Sequence, residues 1–180
     1  KWGIIKSAAL SIVILGVIMW GIIPGVIIVA GWFELLFVNG FGMPFNTGVV
    51  IYALLLIAGL TFGIRYTLKH NHTVVNTILT CFVVMLIGYS CYAMVVIRSV
   101  SNPPIDENSP DNVFALLSYI SRDQYGQEPL VYGPYFNAPV IGVEDAGPVY
   151  YQNEKTGKYD IVDHKKEVKY DPRFCTILPR

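Results

Sequence analysis

Asp106-Glu107-Asn108 is the densest set of chemically able groups in the sequence, and it lies just beyond an apolar stretch that ends at Arg98. Neighbouring carboxylates at such an edge can bind a divalent cation, take a proton from an acceptor hydroxyl, or orient a sugar. Pro103, Pro104 and Pro110 restrict the backbone on both sides. Arg98 can snorkel to headgroups or bind a lipid phosphate. Arg122, in the run Ser121 to Gly126, can pair with those acids or with a phosphate. Glu34 is the one acid among residues 1–100 and is expected at the same surface as Asp106 and Glu107. Each has a plainer reading: acids collect in solvated loops and at helix starts, a lone Arg near a helix end satisfies carbonyls, and Glu34 is then an exposed acid on an amphipathic turn.

The elements that must position these groups divide sharply. Residues 1–100 carry five Lys or Arg and one acid, whereas residues 101–180 carry eight and twelve, so a formal net charge of zero describes neither half. Three apolar stretches fit membrane spans of about 20 residues: 7–30, interrupted by Pro24-Gly25, then 47–68 and 73–97. Helices are the default there because lipid offers the backbone no partners. Lys1 and Lys6 precede the first span, and Arg65, Lys69, His70 and His72 crowd the link between the second and third. The link 31–46 has neither Lys nor Arg, so the positive-inside rule puts it and everything after Arg98 on the non-cytoplasmic face. That link is apolar yet interrupted by Gly and Pro, which predicts an interfacial or re-entrant segment.

Gly21-x-x-x-Gly25 and Gly59-x-x-x-Gly63 predict close helix approach, and Asn76, Thr80 and Tyr89 should face protein rather than lipid. Cys81, Cys91 and Cys175 read as small buried hydrophobes. The sequence starting at Lys1 reads as a piece of a longer chain, whose remaining helices would complete so thin a bundle.

Residues 99–180 read as a small α+β extracytoplasmic unit, following a transmembrane part at 1–98. Ser109-Pro110-Asp111-Asn112 starts a helix, with Val113, Leu116, Leu117 and Ile120 on one oily face and a stop near Gly126. A short strand follows from Leu130 to Gly133. Val149–Asn153 and Lys158–Asp163 flank a hairpin turn, and Val168–Tyr170 suggests a further strand. There is no phosphate-cradling Gly-rich loop, zinc-ligand spacing or Gly-x-Ser-x-Gly elbow. His70, His72 and His164 are scattered. No basic run interleaved with aromatics points to nucleic acid. No cofactor follows from the motifs, although a divalent cation at the carboxylates stays open.

Asn102-Pro-Pro-Ile-Asp-Glu-Asn-Ser-Pro-Asp-Asn112, Leu116-Leu-Ser-Tyr-Ile-Ser-Arg-Asp-Gln-Tyr-Gly126, Pro129-Leu-Val-Tyr-Gly133 and Tyr135-Phe-Asn-Ala-Pro139 resemble a family of large bacterial multi-span proteins. That family is similar to a eukaryotic transmembrane protein O-mannosyltransferase. Trp32-Phe-Glu-Leu-Leu-Phe-Val-Asn39, Met43-Pro-Phe-Asn46 and Tyr170-Asp-Pro-Arg-Phe174 match it as well. The resemblance implies a GT-C glycosyltransferase of the bacterial inner membrane, with residues 99–180 in the periplasm. It implies a polyprenyl-phosphate sugar donor, mannose among the candidates, and a protein or glycan hydroxyl as acceptor. The catalytic acid of such enzymes sits in an early external loop, which this segment is expected to follow, so no catalytic residue is assigned. Arg98, Asp106, Glu107, Asn108, Arg122 and Glu34 are the expected substrate-binding wall. The rival is a membrane-anchored scaffold or glycan- or protein-binding module. A transporter fragment is disfavoured because few polar groups line the helices.

Overall fold

The computed structural model describes residues 2–106, 108–126, 132–177 and 179. They fall into two compact units, Lys1–Ser121 and Arg122–Arg180.

The first unit is helical. α1 (Trp2–Gly16) passes through a π-helical turn, Val17–Ile22, into α2 (Ile23–Leu35), and a second π turn, Leu36–Gly40, closes the run. Pro24 has no N–H for the Trp20 carbonyl, and the widened turn ahead of it absorbs the mismatch. Pro24-Gly25 therefore does not interrupt the first apolar stretch. Residues 31–40, part of the link expected to be interfacial or re-entrant, continue the helix to Gly40, because Leu35, Leu36, Phe37 and Val38 give the backbone no breaker.

After a reversal at 41–46, α3 (Thr47–Lys69) and α4 (Thr73–Tyr89) form an antiparallel pair, and α5 (Cys91–Val100) continues α4 beyond Ser90. Three helical runs, Gly3–Gly40, Thr47–Lys69 and Thr73–Val100, are long and apolar enough to cross a membrane. α6 (Val113–Ser121) packs against α2. Asn112, rather than Ser109, caps α6: its Oδ1 accepts the N–H groups of Phe114 at 3.0 Å and Ala115 at 2.9 Å. The helix ends short of the expected stop near Gly126, because Arg122 turns left-handed with φ 57° and a short 3-10 turn, Asp123–Tyr125, follows.

Large apolar side chains such as Ile12, Trp20, Leu54, Phe62 and Ile78 face outward. Among the described residues of this unit, Ala30, Val38, Val113 and Pro110 are buried apolar ones, and Glu34, Thr67 and Ser99 are buried polar ones. Each polar one lies close to a chain reversal. Thr67 donates to the Gly63 carbonyl at 2.9 Å, and its hydroxyl lies 3.1 Å from Asn76 Oδ1, across the α3–α4 turn. Thr80 departs from expectation: it is exposed and bonds back to the Asn76 carbonyl at 2.8 Å, the usual refuge of a lone helical hydroxyl. Cys81 and Cys91 also face outward rather than inward. The glycine pairs divide, since Gly63 meets Leu79 while Gly21, Gly25 and Gly59 have nothing within 4 Å of a built Cβ. Closest approach occurs instead at Gly31 and Gly48.

The second unit is mostly strand. β1 (Tyr132–Pro134) pairs antiparallel with β4 (Cys175–Ile177), Tyr132 opposite Ile177. Leu130, placed in the first strand by the sequence, lies outside the described residues. β2 (Val140–Asn153) and β3 (Lys158–Tyr170) form one hairpin, Val140 opposite Tyr170, so Val168–Tyr170 belongs to β3 rather than to a further strand. Asn153 Oδ1 accepts the Lys155 N–H at 3.0 Å and Gly157 takes φ 66°, which shapes the turn. Tyr159 is the buried hydrophobic residue of this unit among those described.

Candidate functional site

Asp106 is held from below. Ser99, in the last turn of α5 and 2% exposed, donates its hydroxyl to Asp106 Oδ2 at 2.6 Å. Residues Asn102, Asn108 and Ser109 take φ of 48°, 61° and 38°, so the chain bends on both sides of the carboxylate. The prolines leave few backbone N–H groups to stabilise such a corner, and the serine hydroxyl compensates. Pro110 is fully buried and anchors the far end. Asp106 itself is half-buried, Asn108 is exposed, and Glu107 lies outside the described residues. Arg98 is exposed on the last turn of α5, where a cation also complements the helix dipole.

Glu34 is not the exposed acid of the plainer reading. It is fully buried, and its carboxylate accepts the N–H of Asn46 at 2.5 Å and of Val49 at 3.1 Å. These belong to the unsatisfied N–H groups that open α3, and Asn46 at φ 68° supplies no side-chain cap of its own. A carboxylate from α2 therefore caps α3 across the 41–46 reversal. Gly48 makes room for it: a Cβ there would lie 2.4 Å from Glu34 Cα and 2.5 Å from the Phe33 carbonyl oxygen. An isolated acid in an apolar run must find a partner, so the sequence signalled a pairing but not where.

Glu34 and Asp106 share one end of the helical unit. Gly31, one turn before Glu34, faces the ring of Phe114, whose Cε1 would lie 3.0 Å from a built Cβ, and α6 follows directly on the Asp106 corner. The Arg65–His72 turn is at the other end of α3, about 33 Å away for a helix of 23 residues. Between the ends lies an apolar cavity of about 730 Å³, lined by Ile27 of α2, Leu60 of α3, Met85 of α4, Val96 of α5, and Leu116 and Ile120 of α6. The Asp106 corner joins α5 to α6, two of its walls.

Arg122 belongs to the second unit and is exposed. In that unit Lys165 pairs with Asp123 and Lys169 with Glu144, both at the surface. The Arg173 backbone N–H, then its guanidinium, hold the Asp171 carboxyl below its ordinary range. Among the described residues no group of three or more His, Cys, Asp or Glu is arranged to hold a metal ion.

Residues 126–180 match a family of unknown function, DUF8416. No curated protein and no solved structure matches the chain.

Proposed function

We propose that the helical unit spans a bacterial inner membrane three times, with the 41–46 reversal, the Asp106 corner and residues 99–180 on the periplasmic side. The Arg65–His72 turn then faces the cytoplasm. We further propose that the chain is a segment of a GT-C-like glycosyltransferase. It would move a sugar, mannose by resemblance, from a polyprenyl-phosphate donor to a protein or glycan hydroxyl.

The observation that carries this reading is the cavity of about 730 Å³ with apolar walls, two of them joined by the corner that bears Asp106. A polyprenyl phosphate needs an apolar channel for its chain and polar groups only at the phosphate end. Arg98 is the cation for the phosphate, and Asp106, with one oxygen tied to Ser99, orients a sugar or acceptor hydroxyl. In the reaction the acceptor oxygen attacks the anomeric carbon as the bond to the lipid phosphate breaks. The acceptor proton passes to a carboxylate supplied by another part of the parent protein.

Full-length protein incubated with polyprenyl-phosphate mannose should consume donor, and Asp106→Ala should cut turnover at least tenfold with expression intact. Unchanged turnover would remove Asp106 from the site. A second reading, a membrane-anchored binding module, is favoured by the confinement of the family match to residues 126–180. Under it the full-length protein leaves the donor intact while residues 122–180 account for capture of a glycan or protein partner.

A further inference from the structure

The Arg65–His72 turn carries an observation that the proposed reaction does not use. Phe62, Arg65, Tyr66, Lys69 and His70 fall at helical spacings of three and four, so they form one stripe along the last two turns of α3. The rings on that stripe form a continuous ladder. Phe62 and Tyr66 stack with centroids 6.2 Å apart, Tyr66 and His70 at 4.2 Å, and His70 and His72 at 6.3 Å. Phe62, Arg65, Tyr66, Lys69, His70 and His72 are all exposed.

Two features fix this display. The Thr67 hydroxyl sits 3.1 Å from Asn76 Oδ1 and ties α3 to α4 beneath the turn. His70 Nδ1 lies 2.9 Å from the Tyr66 carbonyl, so that nitrogen is the donor and Nε2 points away from the helix. No acid occurs in the sequence between Glu34 and Asp106, so no neighbouring carboxylate along this stretch neutralises Arg65 or Lys69. The stripe thus runs from an apolar ring, through a phenol, to a cluster of cationic and donor nitrogens at the end of an apolar helix.

We infer that this stripe is a binding site for the headgroup of an anionic glycerophospholipid. Phe62 lies beside the acyl chains and the Tyr66 hydroxyl reaches the ester region. Arg65 and Lys69 take the phosphate. Charge complementarity selects an anionic headgroup over a zwitterionic one, and continuity with an apolar span selects a lipid over a free anion. The inference rests only on the membrane-spanning part of the proposed function, not on glycosyl transfer.

The test is native mass spectrometry of the full chain released from nanodiscs made of equal parts phosphatidylcholine and phosphatidylglycerol. Phosphatidylglycerol should be retained preferentially, and Arg65→Gln with Lys69→Gln should lower that enrichment about tenfold or more. Tyr66→Leu, which keeps every charge, should lower it about threefold through loss of the ladder. Equal retention of the two lipids, or enrichment that survives the double substitution, overturns the site. Unchanged enrichment in Tyr66→Leu overturns the ladder's part in it. Displacement of the lipid by millimolar inorganic phosphate overturns the choice of a lipid occupant. A chain that never enters the nanodisc overturns the membrane reading and this inference together, whereas one that enters without selecting overturns this inference alone.

Discussion

The helical unit and the hairpin both expose many apolar side chains, but they are held together by opposite means. In the helical unit the backbone pairs mainly along each helix, and three of its buried residues, Glu34, Thr67 and Ser99, are polar groups fastening reversals. Polarity is inside and apolar surface outside, the arrangement lipid favours. In β2–β3 the backbone partners come from the facing strand, the turn is set by Asn153 and Gly157, and Tyr159 alone is buried. The helical unit depends on a few joints, and the hairpin on pairing along its length.

Substitutions at the joints probe this contrast most severely. Gly48→Ala drives a Cβ into the α2 backbone and should cost above about 3 kcal/mol, read as loss of folded protein in detergent. If Gly48→Ala is tolerated, the α2–α3 contact is not a joint at all. In the hairpin, Tyr159→Ala should remove about 3 kcal/mol, more than a two-stranded sheet can spare, and abolish the strand signal in circular dichroism. A retained signal would show that pairing alone suffices. Glu34→Ala strands the N–H groups of Asn46 and Val49 and should cost about 2 to 3 kcal/mol in thermal unfolding, with Glu34→Gln milder. Asn112→Ala should cost about 1 kcal/mol through the lost cap of α6.

The smallest effect belongs to Asp171 in the second unit. Its carboxyl is held low by Arg173, so its contribution is complete above the ordinary aspartate value of 3.8 and is lost as pH falls through the lower folded value. Arg173→Ala should bring the Asp171 titration, followed by NMR, back up toward that ordinary value.

The sequence made the three apolar helices legible because length and composition suffice for them. The α6 helix was legible from Val113, Leu116, Leu117 and Ile120, yet its ends were not: Asn112 outcompeted Ser109 as cap, and Arg122 accepted a left-handed conformation ahead of Gly126. The hairpin extends well beyond its apolar core because register shifts between Val140 and Gly142 and between Asp145 and Gly147 let glycines and Pro148 join a ladder that their local preferences oppose. Among the candidate site residues, the Asp106 corner was legible from its prolines and acids. The role of Glu34 was not, since its partners are backbone N–H groups twelve and fifteen residues along the chain. Gly48, the residue that admits it, lies outside any Gly-x-x-x-Gly pattern.

The unbroken first helix has a mechanical consequence. A run of 38 residues measures about 57 Å, nearly twice the roughly 30 Å of bilayer hydrocarbon. Even leaning by about 40°, the steepest inclination such helices ordinarily show, it would bury only about 39 Å of itself. In the proposed membrane reading, about a dozen of its residues lie beyond what the hydrocarbon can cover. With that surplus at its far end, the helix would act as a mast that lifts the Glu34 clasp clear of the acyl chains.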